Sequence, residues 1–480
     1  MSAFLAPVSA APRMQICGLI IPNYIMCTIL SASPDFGTLN SATGICKAWH
    51  GVFETHPKTI ILSVARNVVG PALKHAVRFI RYPYPEKNEN EWGADEDGGD
   101  EDGENSEDTV DSENEDEGPK KQAKKSGAKS AATPESDDIG ELSSEERGKL
   151  QNNAEIVHKL ESIFSLRHKD RTSTTSQLTV RESHRFARAM YRIMLYCELF
   201  YLPINLDDID SMEDDPALLK IWDQRHALLS DFPMPELLEM RAVVAFLHDL
   251  IGEGLDADDY DHICLATGPA VILKAYSSKR FELFEDAVET EVMTSGEDNP
   301  FFGEFLSRPL DRIWTERGVA LPTSDGLDSA ILEGVRGKND KCAQCGVVAG
   351  LGLWSEANWA NLINVDFCAL LPGALNENDV ESDALVELFM STCPADVVIA
   401  EIYDMKTAPF AGWKRDQSLC AACLDKLIGA HLHLWLYERK VQSGWTPTDN
   451  CWYGYNCRTQ VHKREHAKAR NHLCAPTRRP

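Results

Sequence analysis

Residues 20–57, IIPNYIMCTILSASPDFGTLNSATGICKAWHGVFETHP, constrain this chain more than any other stretch. Pro22 suits the start of a helix, where its missing N–H costs nothing. Ile21, Ile25, Ile29 and Leu30 follow at steps that place them roughly on one helical face. Ser31, Ser33, Pro34, Asp35 and Gly37 form a turn cluster. Leu39, Thr43, Cys46 and Trp49 then resume a helical stripe, and Pro57 closes the unit. Two short helices cannot bury two apolar faces by themselves, so part of this surface is expected to wait for a partner.

This segment resembles the F-box family, whose pattern runs L-P-x-E-I, I-L-S, D-L and V-C-K-x-W. Ile21-Pro22 stands for L-P, Ile25 for the I, and Ile29-Leu30-Ser31 for I-L-S. Asp35-Phe36 stands for D-L, and Ile45-Cys46-Lys47 with Trp49 for V-C-K-x-W. Tyr24 occupies the usual acidic position. The resemblance implies docking on a Skp-type adaptor of a cullin ubiquitin ligase through Ile21, Pro22, Ile25, Ile29, Leu30, Leu39, Cys46 and Trp49. The chain would then be a substrate adaptor that holds a protein target, of unknown identity, and not an enzyme. The same residues also read as a helical hairpin of a larger α domain with no adaptor.

The net charge of −27 is concentrated: sixteen Asp or Glu and no Lys or Arg lie between residues 88 and 118. That is the pattern of a linker, not of an acidic fold. A lysine cluster, GPKKQAKKSGAKS, follows. It reads either as nuclear targeting or as a solvated balance to its acidic neighbour. Residues 84–140 have too little apolar surface to offset the entropy of ordering and are expected to be disordered. Hydrophobic residues make up 43% of the chain, ordinary for globular protein, so the remainder can bury cores. No signal peptide or run of about 18 apolar residues is recognised, which predicts no membrane span and a place in nucleus or cytoplasm.

The fold expected is mainly α with little β. Residues 13–83 hold the F-box and following helices, 84–140 the linker, 141–337 a helical domain, and 338–480 a Cys-rich zinc-stabilised domain with a basic tail. In the helical domain, Thr179 with Glu182 makes a capping box. Pro216 and Pro235 open helices. Its Met, Phe and Trp positions read as core.

Nine of the fourteen cysteines fall after residue 340. In a reducing compartment, clustered cysteines favour metal over disulfides. Cys342-x-x-Cys345-Gly346 and Cys420-x-x-Cys423 each have the bite that lets two thiolates reach one tetrahedral zinc. Gly346 suits a knuckle turn, and the second pair leads into an amphipathic helix. One shared structural zinc is expected; two separate thiol pairs, or a redox pair, are the alternatives. In CWYGYNCRTQVHKREHAKARNHLC, residues 451–474, the ligand set expected is Cys451, Cys457, His466 and His472, with Cys474 or His462 as substitutes. The core C-x-Y-G-x-x-C followed by two histidines resembles the small fingers that bind poly(ADP-ribose), with a longer gap before His466. The block is also similar to the tail of fungal F-box-like proteins. Without metal it would be a packed cap, with Trp452, Tyr453 and Tyr455 buried.

From Arg458 onward seven Lys or Arg face one acidic residue. With aromatics just before, this suits nucleic acid or another polyanion; it equally suits docking on the acidic linker of the same chain. A zinc-dependent nucleic-acid or poly(ADP-ribose) binder is therefore the second functional reading, and an F-box-like protein without a ligase the third. Catalytic signatures do not fit: Lys341 and Leu419 precede the two pairs where a zinc deaminase needs proline, and hydrolase elbows and HExxH are absent.

Overall fold

The computed structural model describes residues 15–16, 19–84, 135–170, 173, 175–200, 216–252, 261–278, 281–284, 305–320, 327–362, 365–391 and 394–478. The acidic run, the lysine cluster and the disorder expected of them lie outside the described residues, as do Cys17 and Cys393. The described chain is mainly helical. Its strands are two short antiparallel pairs, β1 (Gln15–Ile16) with β2 (Leu19–Ile20), and β3 (Leu353–Trp354) with β4 (Leu419–Cys420).

The first segment forms three helices where its pattern predicts two. Pro22 caps α1 (Asn23–Ser31), and Asp35 caps α2 (Phe36–Gly44) by accepting from Thr38 N at 2.6 Å. The expected second stripe breaks at Cys46, whose backbone is extended (φ −160°, ψ 164°), so Trp49 lies on a separate α3 (Lys47–Thr55). Gly44 and β-branched Ile45 are poor helix formers, which makes this a favourable place to stop. Pro57 does not close the unit but opens α4 (Pro57–Val69), where a missing N–H is again harmless. A 3₁₀ turn through Pro71 leads to α5 (Leu73–Arg81).

The next helices are α6 (Ser144–Phe164), α7 (Val180–Phe200), α8 (Pro216–Ser230), α9 (Met234–Gly252), α10 (Asp261–Ala266), α11 (Pro269–Ser278), α12 (Ser307–Glu316) and α13 (Asp328–Ile331). Ser143 and Glu146 form a reciprocal capping box at α6. At α7, Thr179 N donates to Glu182 at 2.7 Å and Glu182 N donates to Thr179 Oγ1 at 3.3 Å. Met26, Leu30, Leu39 and Trp49 share one hydrophobic core with Val64, Phe164, Phe186, Phe246 and Trp314. Helices from 13–83 and from 141–337 therefore bury their apolar faces on each other.

That core is entered by Glu135, immediately after the undescribed linker. Its carboxylate accepts from Arg192 Nε (2.8 Å), Arg192 Nη2 (2.9 Å) and Arg78 Nη1 (3.3 Å), and lies 3.0 Å from His75 Nδ1. Burial opposes its charge, but His75 and Arg192 prevail and hold the carboxyl far below the usual range. Burial also keeps His75 below the ordinary imidazole range.

A second core begins at Cys342. It contains α14 (Asp379–Ser391), α15 (Ala395–Met405) and α16 (Ala421–Gln442), followed by the short α17 (Thr459–His462) and α18 (Arg464–Ala469). Leu427, Ile428, Trp435 and Leu436 of α16 pack on Val398, Ile402 and Tyr403 of α15. Trp435 Nε1 donates to Glu401 at 2.7 Å, so the indole is buried without an orphaned donor. No helix among the described residues is long and apolar enough to cross a membrane.

Candidate metal centres

The two C-x-x-C pairs, 74 residues apart in sequence, meet in space. Residues 341–348 make a tight turn closed by the Lys341–Val348 bridge, by Cys342 N to Val347 O (2.8 Å) and by Gly346 N to Cys342 O (2.9 Å). Gly346 has φ +73°, a region side chains rarely enter, which is why glycine follows the pair. The β3–β4 pairing then brings Cys420 alongside, and Ala343 N donates to Ser418 O at 2.9 Å. Cys420 caps α16 and Cys423 sits in its first turn. The sulfurs of Cys342, Cys345, Cys420 and Cys423 all lie within 4.8 Å of one another. Cys345 and Cys420 Sγ are 3.6 Å apart. A tetrahedral ion with metal–sulfur bonds of about 2.3 Å requires an edge of about 3.8 Å.

The electrostatics fit a thiolate site. Burial works against charge on Cys342, but backbone N–H groups of Cys345, Cys420 and Gln344 point at its sulfur and hold it at about 6. Cys423 is driven up, first by burial and then by its three sulfur neighbours. Four thiols in one small space cannot all ionise unless a cation balances them. The metal-ligand reading therefore accounts for the cluster better than two separate thiol pairs do. All cysteines among the described residues are free thiols.

The second group gathers Cys451, Cys457, His466 and His472, again within 4.8 Å. Cys451 is fixed by donating its N–H to Asn471 O (2.9 Å), and a 3₁₀ turn over Gly454–Asn456 carries the chain to Cys457. Gly454 has φ +47°, and a Cβ there would lie 2.1 Å from Cys474 O. His466 is on α18, with Nε2 3.4 Å from Cys457 Sγ and 3.9 Å from Cys451 Sγ. His472 is fully buried, and neither ring nitrogen has a hydrogen-bond partner among the described residues. Burial, then His466, lowers it to about 4, so its ring is a neutral lone-pair donor. An orphaned neutral imidazole beside two thiols is what a metal would satisfy. The substitutes stay outside: His462 is exposed, and Cys474 Sγ donates to Asn471 O at 3.4 Å. Trp452 and Tyr453, buried in the metal-free reading, are 59% and 38% exposed. The bend between α18 and His472 brings the two histidines onto one centre, with ring centroids 5.0 Å apart.

The residues expected to dock an adaptor divide. Pro22, Ile25, Ile29 and Cys46 are exposed and Ile21 is half-buried, whereas Leu30, Leu39 and Trp49 are in the core. Two apolar residues outside the expected set join the surface: Tyr24 (70% exposed) and Ile45 (68%). The Gly44–Ile45 break in the helical stripe was the only local sign that Ile45 would point outward. The Glu135 cluster left no sign in a segment read as linker.

Scanned against protein-family models, curated proteins and solved structures, the chain matches none.

Proposed function

We propose that this protein is the substrate-recognition adaptor of a Skp–cullin–F-box ubiquitin ligase. It would act by holding a target near the transfer machinery and not by catalysis, raising the target's effective concentration there. The observation that carries the reading is the outer face of α1–α3. Tyr24, Ile25 and Ile29 on α1, and Ile45 between α2 and α3, are solvent-exposed, while the same helices bury Met26, Leu30, Leu39 and Trp49. Exposed apolar side chains gathered on one small unit mark a site for a protein partner. The F-box resemblance of residues 20–57 names that partner as a Skp-type adaptor.

The two metal centres are read as structural zinc. Four sulfurs in one and two sulfurs with two imidazoles in the other are closed, soft donor sets with no position left for substrate. They would fix the second core as the platform that selects a target.

The test is capture of the full chain by a purified Skp-type adaptor, comparing wild type with Ile25→Asp/Ile29→Asp. Both side chains are exposed, so the variant keeps its core. Capture of wild type and not of the variant supports the reading; equal capture, or none, refutes it.

A further inference from the structure

The second candidate metal centre carries a surface that a structural role would leave unused. Trp452 is 59% exposed even though the Arg478 guanidinium lies over its ring, 3.8 Å from the centroid. The platform is held in place from both sides. Trp452 O accepts from Thr477 N (2.9 Å) and Arg478 N (3.0 Å), while the neighbouring Cys451 belongs to the candidate ligand group. Beside it a cavity of about 270 Å³ is lined by Trp452, Tyr453, Thr459 and Arg470, with Cys451, Cys457 and His466 among its walls.

Residues 458–470 carry five Lys or Arg against the single acid Glu465. Arg458, Lys463, Lys468 and Arg470 are all exposed. Arg470 pairs with Asp449 at 3.1 Å and Arg464 with Asp383 at 3.4 Å. Arg458, Lys463 and Lys468 have no acidic partner among the described residues. An exposed aromatic on the same short segment as cations without acidic partners suits a ligand that offers both a flat ring and negative charge.

We propose that this platform binds single-stranded nucleic acid, with an unpaired base stacked on Trp452 and phosphates along Arg458, Lys463, Lys468 and Arg470. Stacking asks only for the face of a base, which a duplex keeps covered. Neither α17 nor α18, at four and six residues, is long enough to read a groove. The proposal is independent of the adaptor face on α1–α3, and the failure of either leaves the other standing.

The test is fluorescence anisotropy with the full chain, using a labelled thymidylate dodecamer and, separately, labelled heparin. Trp452→Ala removes an exposed ring and leaves the core untouched, which an unchanged circular dichroism spectrum verifies. It should weaken dodecamer binding by about 5- to 150-fold and leave heparin binding within two-fold. Lys463→Gln/Lys468→Gln should lower the salt-dependence slope for the dodecamer by about 1.4. No dodecamer binding by wild type, or equal loss of dodecamer and heparin in Trp452→Ala, would overturn the proposal. The latter would mark a surface that senses charge alone, as contact with the chain's own acidic run would require.

Discussion

Glu135→Gln should destabilise the larger core far more than a surface substitution would. Three arginines and three glutamates meet in this cluster: Arg78, Arg188 and Arg192 with Glu135, Glu236 and Glu239. With His75 neutral, their charges cancel. Removing the Glu135 charge leaves one net positive charge among side chains such as Arg78 and Arg192, which are 5% and 4% exposed. Breaking a buried pair from one side costs about 3–5 kcal/mol. The lower end is expected here, because Arg192 keeps its ion pair with Glu236 at 2.7 Å and glutamine retains one acceptor oxygen. About 3 kcal/mol corresponds to roughly 150-fold faster exchange of the most protected amides in α5 and α7 at pH 7. The pH dependence has a definite sign. A carboxyl whose folded pKa is depressed contributes fully above its unfolded value of about 4.3, and the contribution fades as pH falls toward the folded value. The gap between wild type and variant should therefore be full at pH 7 and narrow below about pH 4. Less than a three-fold change in exchange at pH 7, or a gap that widens in acid, would refute the account of Glu135 as a buried counter-ion.

Elemental analysis should find two metal ions per chain, falling to one in Cys420→Ser and to one in Cys457→Ser. Structural zinc contributes about 10–16 kcal/mol, more than most domains have in reserve, so chelation should expose the amides of α16 while sparing those of α7. Gly454→Ala should cost at least about 2 kcal/mol, through a φ of +47° and a Cβ 2.1 Å from a backbone oxygen; a melting curve superimposable on wild type would contradict that geometry. Ile29→Asp and Leu30→Asp, adjacent in sequence, should differ sharply in denaturant unfolding. The first changes a half-exposed position, by about 0.5 kcal/mol or less. The second buries an unpaired carboxylate at a fully buried one, and equal effects would mean that α1 is not packed as described.

Much of the site was legible before any coordinates. Spacing alone paired Cys342 with Cys345 and Cys420 with Cys423, because a two-residue gap is the reach of two thiolates to one ion. Apolar spacing and proline starts pointed to the helical class, and the Thr179–Glu182 box marked the start of α7. The limits are also local. Helical periodicity put Ile25, Ile29 and Leu30 on one face. It could not say that Leu30 turns inward to α4 while its two neighbours stay in water, because that depends on what packs alongside. The missed break at Cys46 has the same origin: a stripe of apolar residues continues across a boundary that backbone geometry enforces.

By itself the sequence determined which residues can bind metal, where helices such as α1 and α7 begin and that apolar surface would be left over. These properties rest on contacts a few residues apart. Tertiary structure decided the rest: that Cys345 and Cys420 meet, that His472 and not His462 faces the cysteines, and that Glu135 closes a cluster of buried arginines. It also left Trp452 in solvent. Each of these depends on groups far apart in the chain, and their proximity follows only when the helices that carry them have packed.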